Sequence, residues 1–269
     1  KLLTDWLTGN VMISEKTLIE QSAFFANLSS CVYKDLAFMR VNYEGFKVVY
    51  HGHKGADAFT MEDDNNFIVA CRGTEVKQFS DVKADLSISK TTVAHGKLHI
   101  GFNHYVDKIW QPIMALAQHT QKKVWFTGHS LGAAMATIMA YRFATDDTLP
   151  NPAGLFTYGS PRVGNRTFIN HFNTLPFPHH RWVNDGDIVT KIPFAPWFYH
   201  CGTMHHIDSE GYVTPFYEKA SLGYRIMRVI KSRGVFRMLW QDTQDHSSEL
   251  YRNYLALAEK FPIMENSTL

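Results

Sequence analysis

The stretch VWFTGHSLGAAMA, Val124 to Ala136, sets a serine between two glycines. Gly128-His129-Ser130-Leu131-Gly132 fits G-x-S-x-G, the pattern of a nucleophile elbow. The chemistry this pattern serves is nucleophilic attack on an acyl carbon. A very tight strand-to-helix turn strains the serine backbone and stands its hydroxyl above the sheet. Small flanking residues let strand and helix come close. The helix N-terminus then points unpaired N–H groups at developing negative charge. Ala133, Ala134 and Ala136 keep the helix slim beside the strands.

A serine hydroxyl needs a base, and the base needs an orienting acid. With this elbow the chain order is serine, then Asp or Glu, then histidine. For the acid, VNDGDIVTKIP (Val183 to Pro193) carries a strand into a turn, where Asp185 and Asp187 both fit. Asp146 and Asp147 lie in a polar loop right after the elbow helix and read as turn residues. Beyond Asp187 the histidines are His200, His205, His206 and His246. His246 sits in the polar loop QDTQDHSSELYRNY, where an imidazole can swing to a serine. His205 and His206 fall in a strand-like stretch and read as half-buried. His51 and His53, in YHGHKG, read as solvent-facing loop residues. Neither H-E-x-x-H nor C-x-x-C occurs, so neither metal nor cofactor is expected.

These residues need a frame. KTLIEQSAFFANLSSCVY has helical spacing of its apolar residues. FKVVYH and NFIVACRG read as β-branched strands between polar turns. GFNHYVDKIWQPIMALAQHT is helical, with Pro112 expected to kink or break it. KVWFTG is a short buried strand and SLGAAMATIMAYRFAT a helix. AGLFTYGSP, NRTFINHFN and HRWVND follow as strand, helix, strand. ELYRNYLALAEKF closes the pattern as an amphipathic helix. Alternating strands and helices predict an α/β fold, a mostly parallel sheet with helices on both faces. No internal repeat or long linker divides the 269 residues, so a single domain over 1–269 is expected.

Composition narrows the function. At 45% hydrophobic and 14% aromatic the chain can bury a large core, which excludes a disordered protein. A net charge of +2 without a dense Lys/Arg stripe argues against nucleic acid. No apolar run reaches the roughly 18 residues of a membrane span. Three cysteines leave at least one free thiol.

Taken in order, CRGTE (Cys71 to Glu75), LHIGF (Leu98 to Phe102), GHSLGAA with TYGSPRVGN (Thr157 to Asn165), and VNDGDIVTKIP with DHSSELY (Asp245 to Tyr251) resemble the class 3, fungal-type lipases of the α/β-hydrolase fold. The resemblance implies that Ser130 is the nucleophile, that Asp187 rather than Asp185 is the acid, and that His246 is the base. It implies an oxyanion hole from Thr74, after the RG pair, and the N–H of Leu131. It also implies that EVKQFSDVKADL is a lid, with Val76, Phe79 and Val82 on its apolar face. His129, Pro193 and Phe194 join these three as candidate substrate contacts, and PFAPWFY is expected along the acyl pocket or its rim.

The implied activity is hydrolysis of acylglycerol esters at a lipid–water interface. The partner is a lipid surface, with contact to a membrane or lipid droplet and none with nucleic acid. A phospholipase A1 or galactolipase shares the chemistry. A catalytically inactive lipid-binding protein is the reading from another class, which an intact Ser130, Asp187 and His246 oppose. The compartment stays open between secreted and cytoplasmic. A basic amphipathic stretch, Gly223 to Trp240, is either a lipid-facing surface or an ordinary helix with solvated arginines.

Overall fold

A computed structural model describes residues 11–73, 89–184, 187, 189–193, 196–207, 213–214 and 247–258. Thr74, the expected lid with Val76, Phe79 and Val82, Asp185, Phe194, the 223–240 stretch and His246 lie outside these residues.

The chain enters through helix α1 (Leu18–Cys31), started by a reciprocal cap in which Glu20 N–H donates to Thr17 Oγ1 and Thr17 N–H to the Glu20 carboxylate. Helix α2 (Leu36–Asn42) follows, with the Asp35 side chain accepting from Phe38 N–H at its start. Strands β1 (Lys47–His53), β2 (Ala56–Glu62) and β3 (Asn66–Arg72) form an antiparallel meander. A hairpin of β4 (Lys90–Val93) and β5 (Gly96–His99) leads into α3 (Ile100–Ala117). Then come β6 (Lys123–His129), α4 (Leu131–Ala144), β7 (Pro152–Tyr158), α5 (Arg166–Phe172), β8 (His179–Asn184), β9 (Thr203–Ile207), the short β10 (Val213–Thr214) and α6 (Ser248–Ala258).

The main sheet has eight strands in the order β1-β2-β3-β6-β7-β8-β9-β10. From β3 through β9 neighbours run parallel, while β1, β2 and β10 pair antiparallel at the edges. Both faces are covered, which explains the unbroken apolar runs of β3 and β6. Phe67, Val69, Val124 and Phe126 face a core shared with α3 and α4, while Ile68, Ala70 and Trp125 face one shared with α1 and α6. Helix α3 supplies Phe102, Val106, Ile109, Ile113 and Ala117, a stripe at helical spacing. Pro112 sits inside α3 without ending it. Among the described residues no helix is long and apolar enough to cross a membrane.

Three expectations need correction. His51 is a residue of β1, buried, with Nε2 2.9 Å from Thr60 Oγ1; β2 beside it shields it from solvent. His53 is exposed but ends the same strand rather than lying in a loop. His205 and His206 are buried rather than half-buried, because β9 lies inside the sheet between β8 and β10. Strand β2, ADAFTME, has no clear alternation, and its place is set by pairing with both neighbours.

Candidate active site

Strand β6 stops at His129, α4 starts at Leu131, and Ser130 alone makes the turn, at φ 57°, ψ −129°. A non-glycine residue there carries strain of about 1–3 kcal/mol, which the surroundings must offset. They do so with backbone bonds. Ser130 N–H donates to Tyr158 O of β7 at 3.0 Å, and Ser130 O accepts from Ala133 N–H at 2.9 Å. The glycines of the motif are sterically required. A Cβ at Gly128 would collide with the Gly132 backbone, and one at Gly132 with the Cys71 carbonyl of β3. Gly73 is equally confined, with the His129 carbonyl 2.6 Å from where its Cβ would stand.

The Ser130 hydroxyl is buried and has no hydrogen-bond partner among the described residues. A buried, unsatisfied hydroxyl on a strained turn is held for a reason other than stability. Beside it, Leu131 opens α4, so its N–H has no intrahelical acceptor and stands at the positive end of the helix dipole. A carbonyl oxygen gaining negative charge next to Ser130 meets that donor.

Asp187 is fully buried just past the end of β8. Its Oδ1 accepts from Val189 N–H at 2.9 Å, and its Oδ2 accepts from the Tyr251 hydroxyl at 2.7 Å. The same Tyr251 oxygen accepts from Asn184 N–H at 2.9 Å. Burial, with the Asp187 charge adding to it, pushes the Tyr251 phenol well above its usual range, so it stays a proton donor to the carboxylate. The loop after Asp187 is pinned from several sides. Thr190 Oγ1 donates to Asp187 O, His200 Nε2–H donates to Thr190 O, and the Arg162 guanidinium donates to the Lys191 and Pro193 carbonyls.

Tyr251 lies on α6 and connects the acid to the elbow. Its ring is 5.9 Å from that of His129, whose Nδ1 is 3.0 Å from the Tyr33 hydroxyl. His129 is therefore buried in the α1–α6 layer. Pro193 is buried and Phe198 fully so, while Trp197 is 52% exposed. Asp146 accepts from Thr148 N–H and Oγ1, a turn residue as expected. His200 and His205 are engaged with their own partners, Thr190 O and His180. Tyr251 and Arg162 are the residues the sequence reading missed. DHSSELY and YGSPRVGN contained both, but which atoms they reach is decided by packing between elements far apart in the chain.

Residues 68–197 match the family model described as Lipase (class 3). A lipase of Rhizomucor miehei is 33% identical over 135 residues, 46% of this chain and 37% of that protein. A chloroplastic phospholipase A(1) of Arabidopsis thaliana is 41% identical over 70 residues, 26% of this chain and 16% of that protein. The chain thus spans well under half the length of the curated relatives it matches. A solved structure of a triacylglycerol lipase, described as having a serine protease triad as its catalytic centre, superposes with a TM-score of 0.65 at 25% identity, covering 78% of this chain and 91% of that one. The strand order, the elbow and these likenesses agree: the chain has the α/β-hydrolase fold, and its residues 68–197 are similar to the class 3 lipases.

Proposed function

We propose that the chain is a serine ester hydrolase acting on acylglycerols at a lipid–water interface. Ser130 attacks the ester carbonyl while His246 takes its proton, and Asp187 holds the imidazole tautomer and stabilises the imidazolium. The N–H of Leu131, with Thr74, stabilises the tetrahedral oxyanion. His246 then protonates the leaving alcohol, and water releases the acyl group from Ser130. The observation that supports this reading most is the paired geometry of a strained, unsatisfied Ser130 and a buried Asp187 tied to α6. Helix α6 starts at Ser248, two residues after His246.

Val76, Phe79 and Val82 form the apolar side of a lid that exchanges contact with the pocket for contact with lipid. Pro193 and Phe194 line the acyl side. The similarity to a phospholipase A(1) favours a second reading on the same machinery, with a phospholipid as substrate.

Ser130→Ala is expected to lower hydrolysis of p-nitrophenyl butyrate by at least about 10⁴-fold with the melting curve intact. Retained turnover would refute the nucleophile. Rates on triacylglycerol emulsion, phosphatidylcholine and galactolipid identify the substrate class. A rate that does not rise as an ester passes its solubility limit removes the lid.

A further inference from the structure

The β4–β5 hairpin does more than lead into α3. Leu98 of β5 bridges to Gly164, and Gly164 bridges to Tyr199, so three distant segments form one small surface ribbon. Flanking it in the chain are two exposed large apolar side chains, Trp197 at 52%, two residues before Tyr199, and Ile100 at 46%, where β5 passes into α3. Lys90 Nζ sits 5.3 Å from the Trp197 ring centre and 5.0 Å from that of Phe198. Arg166 lies over the Tyr199 ring and donates to its hydroxyl, and Lys97 is exposed beside it on β5.

The charge here is one-sided. Among the described residues of 89–103 and 159–207 the cations are Lys90, Lys97, Arg162, Arg166, Arg181 and Lys191, and the one carboxylate, Asp187, is fully buried. An outward-facing Trp197 with Lys90 against its ring, and exposed Lys97 and Arg166 with no carboxylate partner among the described residues, do not suit water alone. An indole with a cation against its face sits well at the boundary of a bilayer, with its apolar body among acyl chains and its charge among headgroups.

We propose that this ribbon is the ledge on which the protein rests on lipid, and that it selects surfaces carrying anionic headgroups. Trp197 and Ile100 enter the interface, and Lys90, Lys97 and Arg166 bind the headgroups. In the chain, Lys90 follows the segment of the proposed lid and Trp197 follows the segment of the proposed acid. This deepens the ester-hydrolase reading and rests on it for its purpose.

The test uses the full chain carrying Ser130→Ala, so that lipid is not consumed. Sedimentation with vesicles of phosphatidylcholine, with and without phosphatidylglycerol, is expected to give at least about tenfold tighter binding to the anionic vesicles, weakening as salt rises. Each basic side chain near the surface contributes about fivefold, so Lys97→Glu with Arg166→Glu should lower anionic binding by about tenfold or more. Trp197→Ala should weaken binding to both vesicle types. On the Ser130 background the double charge reversal should leave hydrolysis of dissolved p-nitrophenyl acetate within about twofold, because neither side chain belongs to the proposed catalytic machinery. If charge reversal lowers the melting temperature, the Lys97→Gln, Arg166→Gln pair repeats the test with smaller change. Equal affinity for neutral and anionic vesicles overturns the proposal, and so does anionic binding that the charge variants leave untouched. A parent chain that binds anionic vesicles but does not hydrolyse the dissolved ester leaves the ledge standing and removes the hydrolase reading instead.

Discussion

At the scale of single residues, Tyr251 sets the condition of Asp187, the proposed acid. Its hydroxyl gives one proton to Asp187 Oδ2 and takes one from Asn184 N–H, so it fixes the carboxylate and draws off part of its charge. Tyr251→Phe removes a charge-assisted bond that contributes about 1.5–3 kcal/mol and leaves Asn184 N–H unpaired. The carboxylate keeps more of its charge and stabilises the imidazolium of the proposed base more strongly. On a dissolved ester, kcat/KM is expected to fall by about tenfold and its acid limb to move to higher pH. An unmoved limb with a lowered melting temperature would leave Tyr251 a packing residue only.

At the scale of elements, the elbow works because β3, β6 and α4 approach to backbone contact. The Cys71 carbonyl on β3 occupies the space where a Gly132 Cβ would sit, and the Gly132 backbone fills that of Gly128. Gly132→Ala is therefore expected to destabilise by at least about 1–3 kcal/mol and to shift Ser130 away from the Leu131 donor. Urea unfolding reads the first effect, and kcat on a dissolved ester the second. Helix α4 shows the complementary logic. Ala133, Ala134, Ala136 and Ala140 are completely buried, so the helix is enclosed between the sheet and α3.

At the scale of the whole molecule, the sheet encloses imidazoles that the proposed reaction does not use. His180 Nδ1 and His205 Nε2 share a hydrogen bond of 2.9 Å, and the His205 ring stacks on Trp182 at 4.7 Å. Burial lowers His180 to about 4 and His205 to about 3, so both are neutral in the folded protein at neutral pH. The unfolded chain takes up protons below about pH 6.5, where the folded chain does not. Stability is thus full above that value and declines as pH falls toward the folded-state values. For each imidazole the loss reaches up to about 2 kcal/mol near pH 5. The melting temperature is expected to drop between pH 7 and 5, with a shallower slope in His205→Asn. Equal slopes in the two proteins would show that these rings do not set the acid sensitivity.

What could be read from the chain alone was whatever is local. GHSLGAA contains its own turn, its own small residues and its own helix start, and the periodicity of α3 or β6 needs no partner. The acid was less accessible: spacing left Asp185 and Asp187 both open, and only the resemblance implies Asp187. Other features depend on distant neighbours and had no local mark. Strand β2 exists because β1 and β3 hold its edges, and His51 is buried because β2 covers it. The meeting of Tyr251 with Asp187, and of Lys90 with Trp197, joins residues separated by long stretches of chain. Side-chain type and spacing determine which groups are able to react, but only the packing of the sheet and its two helical layers decides which of them touch.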